Sequence, residues 1–157
     1  MTEQITITQL LDTSHTMAGP FFTKLTYPWE ALPLISRWIL EIGPSLPTEE
    51  YEQRGENIWI AKSAKVYPSA YIAGPTIIGP ETEVRHGAFI RGNALVGANC
   101  VVGNSVELKN VILFDNVQVP HYNYVGDSIL GYKAHMGAGS ITSNVKSDKT
   151  LVTLRMG

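Results

Sequence analysis

A single cysteine, Cys100, cannot close an internal disulfide. It falls on an inward-facing corner of the repeat described below, which marks a buried structural thiol rather than a nucleophile or metal ligand. No apolar run approaches membrane length, and the N-terminus has neither a basic n-region nor an apolar h-region. Secretion and membrane insertion are therefore not expected, and the chain reads as cytoplasmic. Excess charge is missing too. Twelve basic and 14 acidic side chains leave a net charge of −2, which gives no reason to expect nucleic acid or an anionic membrane as a partner. The densest basic stretch, Lys146, Lys149 and Arg155, reads as a solvated edge. What is present, 44% hydrophobic and 17% charged residues over 157 positions, excludes a disordered chain and suffices for one buried core.

The dominant pattern is a repeat. Aliphatic residues stand at Ile60, Val66, Ile72, Ile78, Val84, Ile90, Val96, Val102 and Leu108, at one unbroken spacing of six. A second, usually small residue follows each by four positions, as at Ala64, Ala70, Thr76, Thr82, Ala88, Ala94 and Cys100. Six is a multiple of the strand period and fits no helix, so each unit is a short strand plus a corner. Gly, Asn and Asp gather between the units, where tight corners need positive φ. Three hexads close a triangular coil of about 18 residues, and stacked coils bury one another's apolar faces. The spacing therefore predicts a mainly β chain, a parallel β-helix over residues 58–157.

The repeat slips twice. Beyond Ile112 it continues at Leu113, Val119 and Val125, and beyond Ile129 at Leu130 and Met136, each join one residue short. Such irregularities mark a bend or a presented loop, and here they bracket His121, Tyr124 and Asp127.

Residues 1–57 lack the hexad. Ile5 to Asp12 reads as a short strand or helix, and His15 as an exposed or capping histidine. Tyr27-Pro28-Trp29-Glu30 suits a helix start and Gly43-Pro44 a stop. Trp29, Leu32, Ile35, Trp38, Ile39 and Ile42 between them share one apolar face. The expected cover for that face is the open end of the β-helix, so the segment reads as an N-terminal helical cap, with residues 44–56 as a polar linker.

Near the end of the repeat, His121, Tyr124, Gly126 and Asp127 are followed by His135-Met136-Gly137-Ala138-Gly139 and by Thr142 with Asn144. Upstream lie Phe89-Ile90-Arg91 and Gly103 to Lys109. In this order the segments resemble the C-terminal acetyltransferase domain of the bifunctional UDP-N-acetylglucosamine pyrophosphorylase/glucosamine-1-phosphate N-acetyltransferase. That domain belongs to the left-handed β-helix acyltransferase superfamily. The resemblance covers residues 60–144 and implies a left-handed β-helix, a homotrimer with sites between neighbouring prisms, and acetyl-CoA as co-substrate. No metal is expected.

Amide formation on an amino sugar needs a base at the amine, a cation for the sugar phosphate and donors for the thioester oxyanion. The resemblance makes His121 the base and Arg91, Lys109, Tyr124 and His135 substrate-binding residues. It places Ala138 and Asn144 at the cofactor. Arg91 and Lys109 each follow an inward residue and so point outward. His135 stands where the family has an asparagine, and Val145 where it has an aromatic residue. Family members continue through further coils beyond the position of Gly157, so the β-helix is expected to be truncated at its C-terminus. No Gly-rich nucleotide loop with an adjacent arginine occurs near the N-terminus, so the uridylyltransferase half is not expected in this sequence. The expected partner is a sugar phosphate or nucleotide sugar. Two alternatives stand beside the transferase: a non-catalytic sugar-nucleotide binding or assembly module, and a metal-dependent protein of the carbonic anhydrase type using His86, His121 and His135.

Overall fold

The computed structural model describes residues 5–154; Arg155, grouped above with Lys146 and Lys149, lies outside them. Three short helices come first: α1 (Ile7–Leu10), α2 (Gly19–Phe22) and α3 (Ile35–Ile42). Twelve strands follow: β1 (Tyr51–Gly55), β2 (Ile58–Ala61), β3 (Lys65–Val66), β4 (Tyr71–Ile72), β5 (Thr76–Ile78), β6 (Glu83–Val84), β7 (Phe89–Ile90), β8 (Ala94–Val96), β9 (Val101–Asn104), β10 (Glu107–Leu113), β11 (Gln118–His121) and β12 (Tyr124–Leu130).

From β2 onward the strands stack in parallel as a β-helix with three flanks. Flank A holds β2, β5, β8 and the second halves of β10 and β12. Flank B holds β3, β6, β9 and β11, and flank C holds β4, β7 and the first halves of β10 and β12. Thr76 pairs with Ala94, eighteen residues on, as the hexad requires. The inward column is closed to solvent from Ile78 through Val84, Ile90, Val96, Val102 and Leu108. The corner hydroxyls inside it are satisfied: Thr82 Oγ1 donates to the Gly97 carbonyl at 2.7 Å and accepts from Cys100 N at 3.0 Å. Cys100 is buried as expected, and burial pushes its thiol up to about 11, out of the range of a reactive thiolate.

Pairing locates the two slips. Ile90 faces Leu108 eighteen residues on, but Ala94 faces Val111 at seventeen, so the first dropped residue lies at Lys109-Asn110. Val125 still follows Leu108 by seventeen, and Val111 faces Ser128 again at seventeen, so the second lies at Gly126-Asp127. Both therefore fall at the corner between flanks C and A. There Asn110 and Asp127 turn the chain with φ of 55° and 47°, a conformation that Asn and Asp tolerate through their short polar side chains.

The N-terminal segment differs from expectation in three ways. Its helical stretch is a 3-10 segment (Pro28–Leu34) followed by α3, because Pro33 has no N–H with which to extend an α-helix backwards. The start holds as read, with the Glu30 carboxylate accepting from Thr26 N and Tyr27 N at 2.8 Å each. The apolar face of α3 covers flank A rather than an end of the prism, packing on β8 and β10. The outward residues of flank A are apolar as well: Trp59, Ile77, Leu95 and Ile112 are all buried. Gly43 lies against the Trp59 ring, where a side chain would not fit. Finally, residues 51–55 of the expected linker form β1, an antiparallel strand that covers the free edge of β2. Ile5 to Asp12 contains helix α1, and His15 is half-buried, stacked on Tyr132 with ring centroids 3.6 Å apart.

Candidate active site

Flank C, unlike flank A, is not covered by α3, and the sequence-identified residues lie mainly on it or along its edges. Its outward side chains run in two columns. Tyr71, Phe89, Glu107 and Tyr124 occupy successive coils of one column, with Ile141 bridged to Tyr124 beyond them. Arg91, Lys109 and Gly126 occupy the other, since each follows an inward residue in register. Neighbouring rungs of a column stand about 4.8 Å apart.

Arg91 and Lys109 are thus adjacent outward cations, and both are engaged. Arg91 Nη1 donates to Glu107 Oε1 at 2.8 Å, and Lys109 Nζ to Asp127 Oδ2 at 3.2 Å. Asp127 also accepts from Asn110 Nδ2 at 3.0 Å and from Asn144 Nδ2 at 3.1 Å. Burial alone would raise the Asp127 carboxyl, but the hydrogen bonds from Asn110, Asn144 and Lys109 outweigh it and hold the group below the usual aspartate value. Asn144, expected at a cofactor, is thereby tied into a ladder of corner side chains one coil apart. Asn110 Nδ2 reaches the Leu32 carbonyl as well, at 3.2 Å, and so ties the corner to the 3-10 segment.

Tyr124 lies along flank C, its hydroxyl over Gly126, where a Cβ would collide with it. A side chain at position 126 would have to displace the Tyr124 ring.

His121 ends β11 at the opposite edge of flank C, exposed to solvent. Its backbone is fixed by Asn123, a side chain only 2% exposed. Asn123 Oδ1 accepts from His121 N at 3.1 Å, while its Nδ2 donates to the carbonyls of Gly137 and Ser140 at 2.8 and 3.1 Å. Gly139 N then donates to the His121 carbonyl at 3.0 Å, which sets Ala138 beside His121 in the following coil. His121 is therefore an exposed imidazole on a rigid edge, the placement a general base needs.

His135 stands elsewhere. It bridges Gln118 on flank B, with Nδ1 3.3 Å from Gln118 Oε1. His86 lies on the edge of His121, separated from it by the rung of Asn104, and its Nδ1 is 2.7 Å from Ser69 Oγ. Among the described residues no group of three His, Cys, Asp or Glu side chains converges to hold a metal ion.

Three participants were not singled out from sequence: Asn123, Glu107 and Asn110. Asn123 had a signal, since it occupies a corner where preceding coils carry Ala70, Ala88 and Val106.

A family model described as the GMPPB C-terminal domain matches residues 72–152. The chain belongs to that family. All seven residues discussed as candidate site residues lie within the GMPPB C-terminal domain match, and the N-terminal helices lie outside it.

Among curated proteins, the bifunctional protein GlmU of a Nostoc species is 41% identical over 114 residues, covering 71% of this chain and 23% of that protein. The GlmU of Methanococcus maripaludis strain S2 is 32% identical over 130 residues, covering 82% of this chain and 32% of the relative. The chain thus spans between about a sixth and a third of the curated relatives it matches. The acetyltransferase domain of PglB from Neisseria gonorrhoeae shares the fold, with a TM-score of 0.52 at 20% identity over 67% of this chain and 49% of the other. Together these place the GMPPB C-terminal domain seen here in the hexapeptide-repeat acyltransferase superfamily. No helix among the described residues is long and apolar enough to cross a membrane.

Proposed function

We propose that this chain is an N-acyltransferase of sugar-phosphate metabolism, moving an acetyl group from acetyl-CoA to the amine of a hexosamine 1-phosphate or nucleotide sugar. The observation that carries the reading is His121, solvent-facing at the edge of flank C on a backbone pinned by buried Asn123. In the reaction, imidazole accepts a proton from the substrate ammonium and the freed amine nitrogen bonds to the thioester carbonyl carbon. The C–S bond then breaks, and the thiolate leaves with a proton. Arg91, Lys109 and Tyr124 would hold the sugar phosphate, the arginine as a planar fork and the lysine as a point charge. Ala138, one rung beyond His121, and Asn144 would face the cofactor, and His135 would reach substrate only through a second copy of the chain. A homotrimer fits this arrangement, because Tyr71, Phe89 and Ile141 remain exposed along flank C, 62%, 41% and 64% respectively, and need a neighbouring prism to cover them.

The second reading is a non-catalytic sugar-nucleotide binding or assembly module. It is favoured by the pairing of both Arg91 and Lys109 with carboxylates, which leaves neither cation free for phosphate. One assay separates the two: thiol release from acetyl-CoA with glucosamine 1-phosphate, run beside His121→Ala. Turnover that disappears in the variant supports the transferase. Absence of turnover together with saturable binding of a sugar phosphate supports the module.

A further inference from the structure

The N-terminal 3-10 segment and the chain after the last coil enclose an open cleft of about 960 Å³. That is the size of a small-molecule site. One wall is aromatic. Tyr27 and Trp29 stack with centroids 4.7 Å apart and planes 4° from parallel, and Leu32 stands one 3-10 turn beyond Trp29 on the same side. Of the three tryptophans, Trp38 and Trp59 are buried in the core, whereas Trp29 keeps 41% of its surface exposed. Packing of the fold therefore leaves much of this ring unused.

The facing wall is mixed: Val145, Leu151, Val152 and Leu154 give it an apolar surface, and two lysines stand among them. Lys146 and Lys149 line it, and among the described residues neither forms an ion pair. Lys146 Nζ donates to Thr150 Oγ1 at 2.7 Å. Asp127 also borders the cleft, but its charge is answered by Lys109 and by the amides of Asn110 and Asn144. The charge left unanswered in the cleft is positive.

We propose that this cleft binds a nucleoside phosphate, its base against the Trp29 and Tyr27 pair and its phosphates toward Lys146 and Lys149. Aromatic platforms accept the π-face of any base, and ammonium groups serve phosphate as point charges. A sugar phosphate without a base would leave Trp29 unused, and an uncharged aromatic ligand would leave the lysines unused. Two sources carry this chemistry: the adenosine phosphate of a coenzyme and the nucleoside diphosphate of a sugar nucleotide. The coenzyme source rests on the proposed acyl transfer, since Asn144, placed there at the cofactor, also lines this cleft, whereas the sugar-nucleotide source stands on the cleft alone.

Calorimetric titration of the full chain with ADP, coenzyme A, UDP and GDP, without any acyl acceptor, tests it. At least one is expected to bind saturably with Kd below about 1 mM. Trp29→Ala should lose about tenfold or more in affinity and Trp29→Phe much less. The Lys146→Gln/Lys149→Gln double variant should bind more weakly and with a flatter salt dependence. Binding of ADP and coenzyme A only supports the coenzyme source, binding of UDP or GDP only the sugar nucleotide, and binding of all four a stack indifferent to the base. Failure of every ligand to saturate at millimolar concentration would overturn the proposal. So would affinity unchanged in both Trp29→Ala and the lysine double variant, each shown to be folded by circular dichroism.

Discussion

Lys109 Nζ lies 3.2 Å from Asp127 Oδ2, one coil away, and the pair joins the two places where the hexad drops a residue. Dropping a residue at the same corner in consecutive coils keeps the coils in register below and above it. It also brings Asn110, Asp127 and Asn144 into a single ladder. Asp127 is the acceptor that Lys109, Asn110 and Asn144 share, and Asn110 alone of the three also reaches a second one, the Leu32 carbonyl. Asp127→Ala is therefore expected to lower stability by roughly 1–2 kcal/mol, an amount discounted because Lys109 is substantially exposed. The urea midpoint measures it, and an unchanged midpoint would mean that the ladder holds nothing together.

The same carboxylate should make stability depend on pH. Its folded-state value is held below the ordinary aspartate value of about 3.9. A depressed carboxyl stabilises the fold fully above the unfolded value and loses that contribution as pH falls through the folded one. Wild type should accordingly fall toward Asp127→Asn in thermal midpoint only as pH drops below about 4, with their difference constant above pH 5. A difference that instead grew between pH 6 and 8 would assign the effect to some other group.

The coils were legible because an inward column must be apolar at every sixth residue, and no other fold imposes that spacing. The lateral position of the helices was not read, since the hexad marks only inward positions. A second signal was present, however. Trp59-Ile60, Ile77-Ile78, Leu95-Val96 and Ile112-Leu113 are apolar doublets recurring once per coil, and adjacent strand residues face opposite ways, so one of each pair must be covered from outside. The ion pairs of Arg91 with Glu107 and of Lys109 with Asp127 join partners 16 and 18 residues apart. They become visible only once the coil length and both slips are located. His135 appeared in the same motif as Ala138, yet it stands three residues earlier and bridges Gln118 on flank B, away from His121.

Leu95 tests the covered flank. It is 1% exposed, points outward from β8, and lies where α3 packs. Leu95→Ala should cost about 2–4 kcal/mol, the usual range for a cavity left in a packed interior. Lys65, outward on flank B and exposed, is the control, and Lys65→Ala should change stability by less than about 0.5 kcal/mol. Equal effects of the two on the denaturation midpoint would mean that α3 does not cover flank A in solution.

Asn123 links the stability of the last coil to the proposed base. Replacing it with alanine removes a buried side chain that partners His121 N and the carbonyls of Gly137 and Ser140. The expected loss is roughly 1–3 kcal/mol. If His121 is the base, a second effect must appear that stability does not explain: kcat falls at temperatures where the variant is still fully folded, because the imidazole no longer has a fixed edge from which to meet the ammonium. KM for a sugar phosphate held by Arg91 and Lys109, at the far edge of flank C, should change little. Equal kcat in folded Asn123→Ala and wild type would confine Asn123 to a structural role and remove the positioning argument for His121.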